Sequence, residues 1–439
     1  MILQLLLVLI LTLIYNCWFK RRGMLPGPMP FPLFGNLLQL SWSGRWDKQF
    51  ANWSKKYNGM YTFWFGSLPT VLITDYDIAV EALIKNSDAC STRGDNQHFN
   101  QLCRDGTLGI VLTSGDLHRE QRKFMLTTLR NFGMGTNLMQ EKVLTEVADI
   151  VNGLNRDIDS GMKEIDLVRY TELGIGSVIH STLFGYRFNQ DNRAEFDLLK
   201  SLTFNLVAVA SDPFVSASIM NSTIARLPIF KSRLARFVDM FHELNRFVDE
   251  NIQKHVKEFD EEREPTDFID AFLLEMKRQE ESGKPNYFTL KQLRSSLIDA
   301  WFAGESQRCS NVVVQNVLRQ LTRDIQIRGK LLRKGTFICP QISSMLWSEK
   351  RFPEPEKFVV ERFLDQNGQL CNTELMVAFS MGKRACPGES LAKTELFLFA
   401  ANLLNRFKFE QGAKAVELKR DGGGIATGIK PFTCRVTRR

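Results

Sequence analysis

A mainly α-helical protein with a smaller β region is the fold class that the sequence predicts. Apolar residues recur at three- and four-residue spacing through most of the middle of the chain. Strand-like runs appear at Met60–Gly66, at Thr70–Thr74 and again between Ile325 and Pro340. Hydrophobic residues fill 44% of 439 positions and Phe alone occurs 33 times, enough for a substantial core with thick helix packing. The length suits one large helical domain or about three average ones, and no internal repeat is visible.

Charge and cysteine usage narrow the class. The net charge is +8, with no Lys/Arg run of the kind that forms a nucleic-acid arm, so the excess suits an anionic membrane surface or an acidic partner. Eight cysteines are scattered without a C-x-x-C pair, which argues against a disulfide framework or zinc site and for reduced thiols.

In chain order, residues 1–19 are almost wholly apolar and are followed by Lys20, Arg21 and Arg22. The run is just long enough to span a bilayer. A cleaved signal peptide would carry its charge before the apolar run and small residues at a cleavage site. An uncleaved anchor is the reading adopted, with the basic flank cytoplasmic and the N-terminus in the lumen. Residues 20–36 form a basic and proline-rich hinge, Leu25-Pro-Gly-Pro-Met-Pro-Phe-Pro32, stiff and unable to be helix. Trp46–Asn58 reads as an amphipathic helix, the two strands from Met60 and Thr70 as a hairpin, and Asp75–Lys85 as a helix. Cys90–Thr107 is polar and aperiodic, so a long loop is expected. A helix opens at Gly115 and places His118 and Arg122, four apart, on one face. Further helices are expected at Leu138–Arg156, Tyr170–Phe184, Phe196–Val207, Phe230–His255 and Thr266–Gln279, with Pro213 and Pro228 as breaks. Phe204, Val207, Val209, Phe214 and Val215 are candidates for a pocket lining.

Two stretches carry the chemistry. Thr289–Gly304 is a capped helix with Leu290, Leu293, Leu297, Ile298, Trp301 and Phe302 on one broad face. Phe379-Ser-Met-Gly-Lys-Arg-Ala-Cys-Pro-Gly388 presents Cys386 in a turn just before an apolar helical pattern from Leu391. Lys383 and Arg384, with the N-terminus of that helix, favour a thiolate, the form of cysteine that binds metal.

The second stretch fills every position of F-x-x-G-x-R-x-C-x-G, and so resembles the haem-binding signature of the cytochrome P-450 family. The proline-rich segment after the basic stop resembles the hinge of its microsomal members. The resemblance implies a P-450 fold over residues 37–439, one haem b, Cys386 as its metal ligand, and insertion of one oxygen atom from O2 into a small apolar substrate such as a lipid, steroid or xenobiotic. It implies haem contacts for Phe379 and for Arg384, Arg122, Arg319 and His118, the last four toward the propionates. His118 stands where the family usually has Trp. The implied partner is a flavin-containing NADPH reductase, and the implied location is the endoplasmic reticulum membrane with the catalytic domain cytoplasmic.

One departure is specific. After Ala303-Gly304 the family continues with an acid–alcohol pair that delivers protons during oxygen activation. Here Glu305-Ser-Gln-Arg308 follows, resembling the later E-x-x-R motif whose Glu and Arg pair with an Arg corresponding to Arg362. Relative to the family pattern several tens of residues are missing near 304–306, which leaves the central long helix incomplete and the catalytic pair without assigned residues. Glu305, Arg308 and Arg362 are assigned a structural role; Glu305-Ser306 as the acid–alcohol pair is the alternative. Loss of whole helices is expected to leave Leu297, Trp301 and Phe302 wet and to disturb residues 303–310. A catalytically impaired or non-enzymatic haem-binding product of altered splicing or gene prediction is the rival function; a helical membrane scaffold with a fortuitous cysteine loop is the second.

Overall fold

The computed structural model describes residues 4, 7–8, 11–12, 14–15, 18–94, 96–283, 285–308, 314–357, 359–413, 420–421, 424–425, 428–429 and 432–439, with backbone alone for 303–308, 420–421 and 428–429. The helices are α1 Leu37–Ser43, α2 Trp46–Lys56, α3 Tyr76–Val80, α4 Gln97–Arg104, α5 Gly115–Asn131, α6 Asn137–Asp159, α7 Leu167–Phe184 and α8 Arg193–Ala210. They continue as α9 Pro213–Met220, α10 Ser222–Ala225, α11 Pro228–Glu258, α12 Phe268–Glu281, α13 Leu290–Arg308, α14 Ile342–Leu346 and α15 Glu389–Arg406. A π-helical turn, Glu81–Lys85, extends α3.

The strands form one principal sheet in which β1 (Met60–Phe65), β2 (Leu68–Ile73), β6 (Phe337–Pro340) and β3 (Arg319–Gln320) lie side by side in that order. β1 and β2 pair antiparallel from Met60↔Ile73 to Phe65↔Leu68, so the hairpin turn is Gly66-Ser67, with Gly66 at φ +58°. β2 runs parallel to β6, with Thr70 opposite Phe337, and β3 closes the edge antiparallel to β6. Pro69 lies just before the part of β2 that pairs with β6, where its missing N–H costs no ladder bond to that strand. Small ladders join β4 (Ile325–Ile327) to β5 (Lys330–Leu332), β8 (Arg420–Asp421) to β9 (Gly428–Ile429), and β7 (Phe407–Gln411) to β10 (Cys434–Arg438).

Several expectations change. The loop over 90–107 contains α4, which Asn96 starts by accepting a hydrogen bond from the Phe99 N–H. The helix breaks fall at Pro213 and Pro228 as expected, and each proline is the first residue of the helix after the break, α9 and α11, where a missing N–H costs nothing. The hinge is extended, and it is packed: Pro26 accepts from the Thr62 N–H at 3.1 Å, and buried Asn36 accepts from the Trp64 N–H at 2.8 Å. Among the described residues no single helix is long and apolar enough to cross a membrane; the anchor expected over 1–19 lies largely outside them. The pocket lining does not converge: Phe204 is exposed, Val215 is in the core, and Phe214 packs on Phe34 and Phe230.

Helices α6, α7, α13 and α15 form the frame behind the cysteine loop, with α6 packed on α7, α13 on α7 and α15 on α6. α13 runs unbroken from Leu290 to Arg308, so Gly304 and Glu305 are consecutive residues of one helix. Thr289 caps it, accepting from the Gln292 N–H. Leu297 and Trp301 are buried and Phe302 is half-buried, contrary to expectation, because α7 and α8 cover them; Trp301 Nε1 donates to Thr203 Oγ1 at 3.2 Å. α15 does carry wet apolar residues: Leu396, Phe397 and Leu404 are 59%, 70% and 55% exposed.

Candidate haem-thiolate site

The cysteine loop is shaped by its own backbone. Ser380 and Gly382 adopt positive φ, +65° and +73°. A Cβ on Gly382 would lie 2.1 Å from the Leu83 carbonyl oxygen, so only glycine lets this loop seat on the π-helical turn. A 3-10 turn, Gly382–Arg384, follows, and the Cys386 N–H returns to the Phe379 carbonyl at 2.8 Å. Phe379 therefore closes the loop through its backbone. Cys386 is half-buried and stands outside any disulfide, three residues before the start of α15.

Arginines converge on this loop. Arg122, from α5, donates to the Ala385 carbonyl at 2.8 Å, beside Cys386. Arg384 is buried and donates to the carbonyls of Ser91 and Thr113, both at 2.7 Å. Arg319, on β3, is 2% exposed; it reaches the Cys90 carbonyl at 3.5 Å and Ser380 Oγ at 3.3 Å, and its Nε has no hydrogen-bond partner. Arg93 joins them, donating to the carbonyls of Val111 at 2.9 Å and Val317 at 3.0 Å. Burial and then the neighbouring Arg319 and Arg384 push Arg93 down to about 9; burial, Arg319 and Arg122 push Arg384 down to about 10. His118 is pushed down to about 3 by burial and by Arg384, Arg122 and Arg93, so its ring is neutral.

Among the described residues none of these four arginines forms an ion pair with a carboxylate. A cluster of like charges withdrawn from water is unfavourable unless an anion enters it. A group with carboxylates of its own fits this donor set, and the unpartnered Arg319 Nε marks one place for it.

The same loop network reaches α13. Asp299 accepts from Arg104 at 2.6 Å, from the Ile110 N–H at 2.8 Å and from the Val111 N–H at 2.9 Å. Gln292 bonds both the N–H and the carbonyl of Gly109. A Cβ on Gly109 would meet Asp299 Oδ2 at 2.4 Å. The segment between α4 and α5 is thus held by α13 on one side and by Arg384 on the other. Arg93, Asp299 and Gln292 escaped the sequence reading; each is a lone polar residue, and no local pattern distinguishes them.

The brace expected between Glu305, Arg308 and Arg362 falls on side chains outside the described residues for its first two members. Arg362 itself donates to the carbonyls of Pro353, Glu354 and Lys357. Of the expected disturbance at 303–310, the described backbone shows continuous helix through Arg308.

Comparison with known proteins decides the family. The model described as "Cytochrome P450" matches residues 25–304 and 305–436. This chain belongs to the cytochrome P450 family. Cytochrome P450 2C41 of Canis lupus familiaris is 31% identical, over 92% of this chain and 92% of that protein. Cytochrome P450 2G1 of Rattus norvegicus is 30% identical over 90% of each, and cytochrome P450 2C3 of Oryctolagus cuniculus 29% over 91% and 93%. As a cytochrome P450 the protein is a haem-thiolate monooxygenase, an oxidoreductase that acts on lipophilic substrates. The family match is in two parts that meet at 304/305. The alignment with the rabbit protein has 465 positions but uses 91% of 439 residues, about 400, so about 65 positions have no residue here.

Proposed function

We propose that this cytochrome P450 holds haem b with the Cys386 thiolate as iron ligand, Arg384, Arg122 and Arg319 toward the propionates, and His118 and Arg93 completing the cradle. The single observation that carries the reading is the cluster of two buried and two half-buried arginines, without an ion pair to a protein carboxylate among the described residues, around the one cysteine that the signature marks. When bound, the haem supplies oxygen activation, with the thiolate pushing electron density toward O–O cleavage. The chain's own residues do the rest. Gly382 and the Phe379 carbonyl fix the sulfur's position, Arg122 ties α5 to the residue before it, and the cations neutralise the cofactor's acids. Electrons come from a flavin-containing NADPH reductase, drawn by the net charge of +8, at the endoplasmic reticulum membrane. Cys386→Ala should abolish the thiolate-type reduced carbon monoxide spectrum. An unchanged spectrum in that variant would sink the assignment.

A second reading concerns output. The break in the family match at 304/305 and the unfilled alignment positions favour loss of a segment just after Ala303-Gly304. That loss removes the acid–alcohol pair and with it a positioned proton donor. In membranes with the same reductase, this chain should form less product per NADPH consumed, and more hydrogen peroxide, than a version with the segment restored. Equal coupling would leave Glu305-Ser306 as the proton relay.

A further inference from the structure

We propose that Trp301, His180 and Tyr186 form an exit path for oxidising equivalents, along which a Tyr186 phenoxyl radical drains an oxidant that finds no substrate at the candidate site. The proposal takes its oxidant from the haem reading above and adds a route through this chain's own side chains. It starts from a buried group that packing alone does not explain. His180 of α7 is 0% exposed, and neither ring nitrogen has a hydrogen-bond partner. A polar group so placed is costly and asks for a role.

The imidazole lies between the rings of Phe184 and Phe188, with centroids 4.5 and 4.1 Å away. Tyr186 meets it edge-on at 4.4 Å, and Trp301 at 5.6 Å. Phe188 makes a second bridge, 6.2 Å from Trp301 and 6.1 Å from Tyr186. Burial pushes the His180 pKa down to about 3, so the ring is neutral and does not repel an electron hole that passes it. Trp301 stands on α13 two residues after Asp299. That carboxylate holds the Val111 N–H, and Arg93 of the arginine cluster holds the Val111 carbonyl. The path therefore begins on a helix that frames the candidate site.

The two ends treat a proton differently. Trp301 Nε1 donates to Thr203 Oγ1 at 3.2 Å, and that hydroxyl donates onward to the Leu199 carbonyl at 2.8 Å. A hydroxyl is too weak a base to take the indole proton, so an oxidised Trp301 keeps its proton and stays a strong oxidant. Tyr186 donates to a carboxylate, Glu195 Oε1, at 2.5 Å. A phenol that loses an electron there has a proton acceptor within hydrogen-bond reach. The steps balance. One electron leaves the Trp301 indole for the oxidant, one electron from the Tyr186 phenol refills the indole, and the phenolic proton passes to Glu195. A neutral phenoxyl remains. Tyr186 is half-buried, so a soluble thiol, itself oxidised toward disulfide, returns the electron, and Glu195 returns the proton. Other tyrosines lack one half of this arrangement. Tyr61 lies 6.3 Å from Trp53, but its hydroxyl is buried without a partner. Tyr170 donates to Asp157 at 2.6 Å but joins no tryptophan among the described residues.

The test mixes the full, haem-loaded chain with hydrogen peroxide in the absence of substrate and reads freeze-quenched samples by electron paramagnetic resonance. A phenoxyl signal should form. It should be lost in Tyr186→Phe and kept in Tyr61→Phe, which removes only the unpartnered hydroxyl. Trp301→Phe should slow its formation many-fold. Glu195→Gln keeps a hydrogen-bond acceptor but no base, and should cut the yield many-fold. The parent's signal persisting in Tyr186→Phe, or unchanged kinetics in Trp301→Phe, overturns the proposal and leaves the cluster as packing. A chain with the thiolate spectrum but no phenoxyl overturns it too. Laser photoionisation of the indoles needs no haem. Radical transfer from indole to phenol, followed by absorption, should lose its fastest phase in Tyr186→Phe. That loss without a thiolate spectrum refutes the haem assignment and supports the path; a fast phase unchanged in Tyr186→Phe refutes the path whatever the haem does.

Discussion

His255 is a titrating clamp outside the candidate site. Its Nδ1 lies 2.9 Å from the Asn251 carbonyl and its Nε2 2.9 Å from Asp267, which also starts α12 by accepting from the Asp270 N–H. Burial lowers the ring's pKa, but the bonds to Asp267 and Asn251 outweigh it, and the net direction is upward. A group raised on folding stabilises fully below its unfolded value of about 6.5, and the contribution fades as pH climbs through the higher folded value. His255→Asn should therefore cost about 1 kcal/mol near pH 6, and the cost should shrink toward about pH 9. Urea midpoints across that range check it; a difference that grows with pH would reverse the sign. At this scale the site was unevenly legible. Cys386 and Arg384 sit inside the signature, and Arg122 and Arg319 sit at characteristic distances along the chain. Arg93 comes from an aperiodic stretch, and only the fold brings it beside Arg319 and Arg384.

Asp299 shows what an element can hold that a motif does not announce. From α13 it takes up Arg104 and two backbone N–H groups of the segment before α5. Asp299→Ala leaves Arg104 buried without its acid, and should cost about 3–5 kcal/mol in chemical denaturation. Asp299→Asn keeps the shape and should cost less. Loss of no more than a few tenths of a kcal/mol from the Ala change would show the pair to be incidental. Most helices were legible because their apolar spacing is the packing face itself. α4 was not, since its end is completed by another helix: His242 and Asn245 of α11 bond the carbonyls of Leu102 and Cys103. Nor did the sequence tell which apolar helix face would stay wet. The expectation placed the loss on Leu297 and Trp301, yet neighbours closed over them and left Leu396 and Phe397 exposed. Periodicity identifies a face meant for burial, not the helix that reaches it.

For the whole molecule, the family match and the helical architecture agree over nearly all of the chain. The N-terminal run is the part whose role is decided by its solvent. If residues 1–19 anchor the protein, full-length chain should stay on microsomal membranes through a high-salt wash and be released only by detergent, with the N-terminus intact by mass. Release by salt, or recovery of a shortened chain, would refute the anchor. A version lacking residues 1–19 should be freed more readily, since the remaining attraction of a net charge of +8 is screened by salt.

The principal sheet sets an order on synthesis. β2 takes β6 as its parallel neighbour, and Thr70 waits for Phe337. Between those residues the ribosome must add a further 267, at about 5–20 residues per second. For roughly a quarter to most of a minute the nascent hairpin has one side of β2, Thr-Val-Leu-Ile, with no strand to bond. Such an edge recruits any extended chain nearby. The hazard lies less in the finished protein than in its making, and a crowded ribosome cluster is where this fold is most exposed to pairing with the wrong partner.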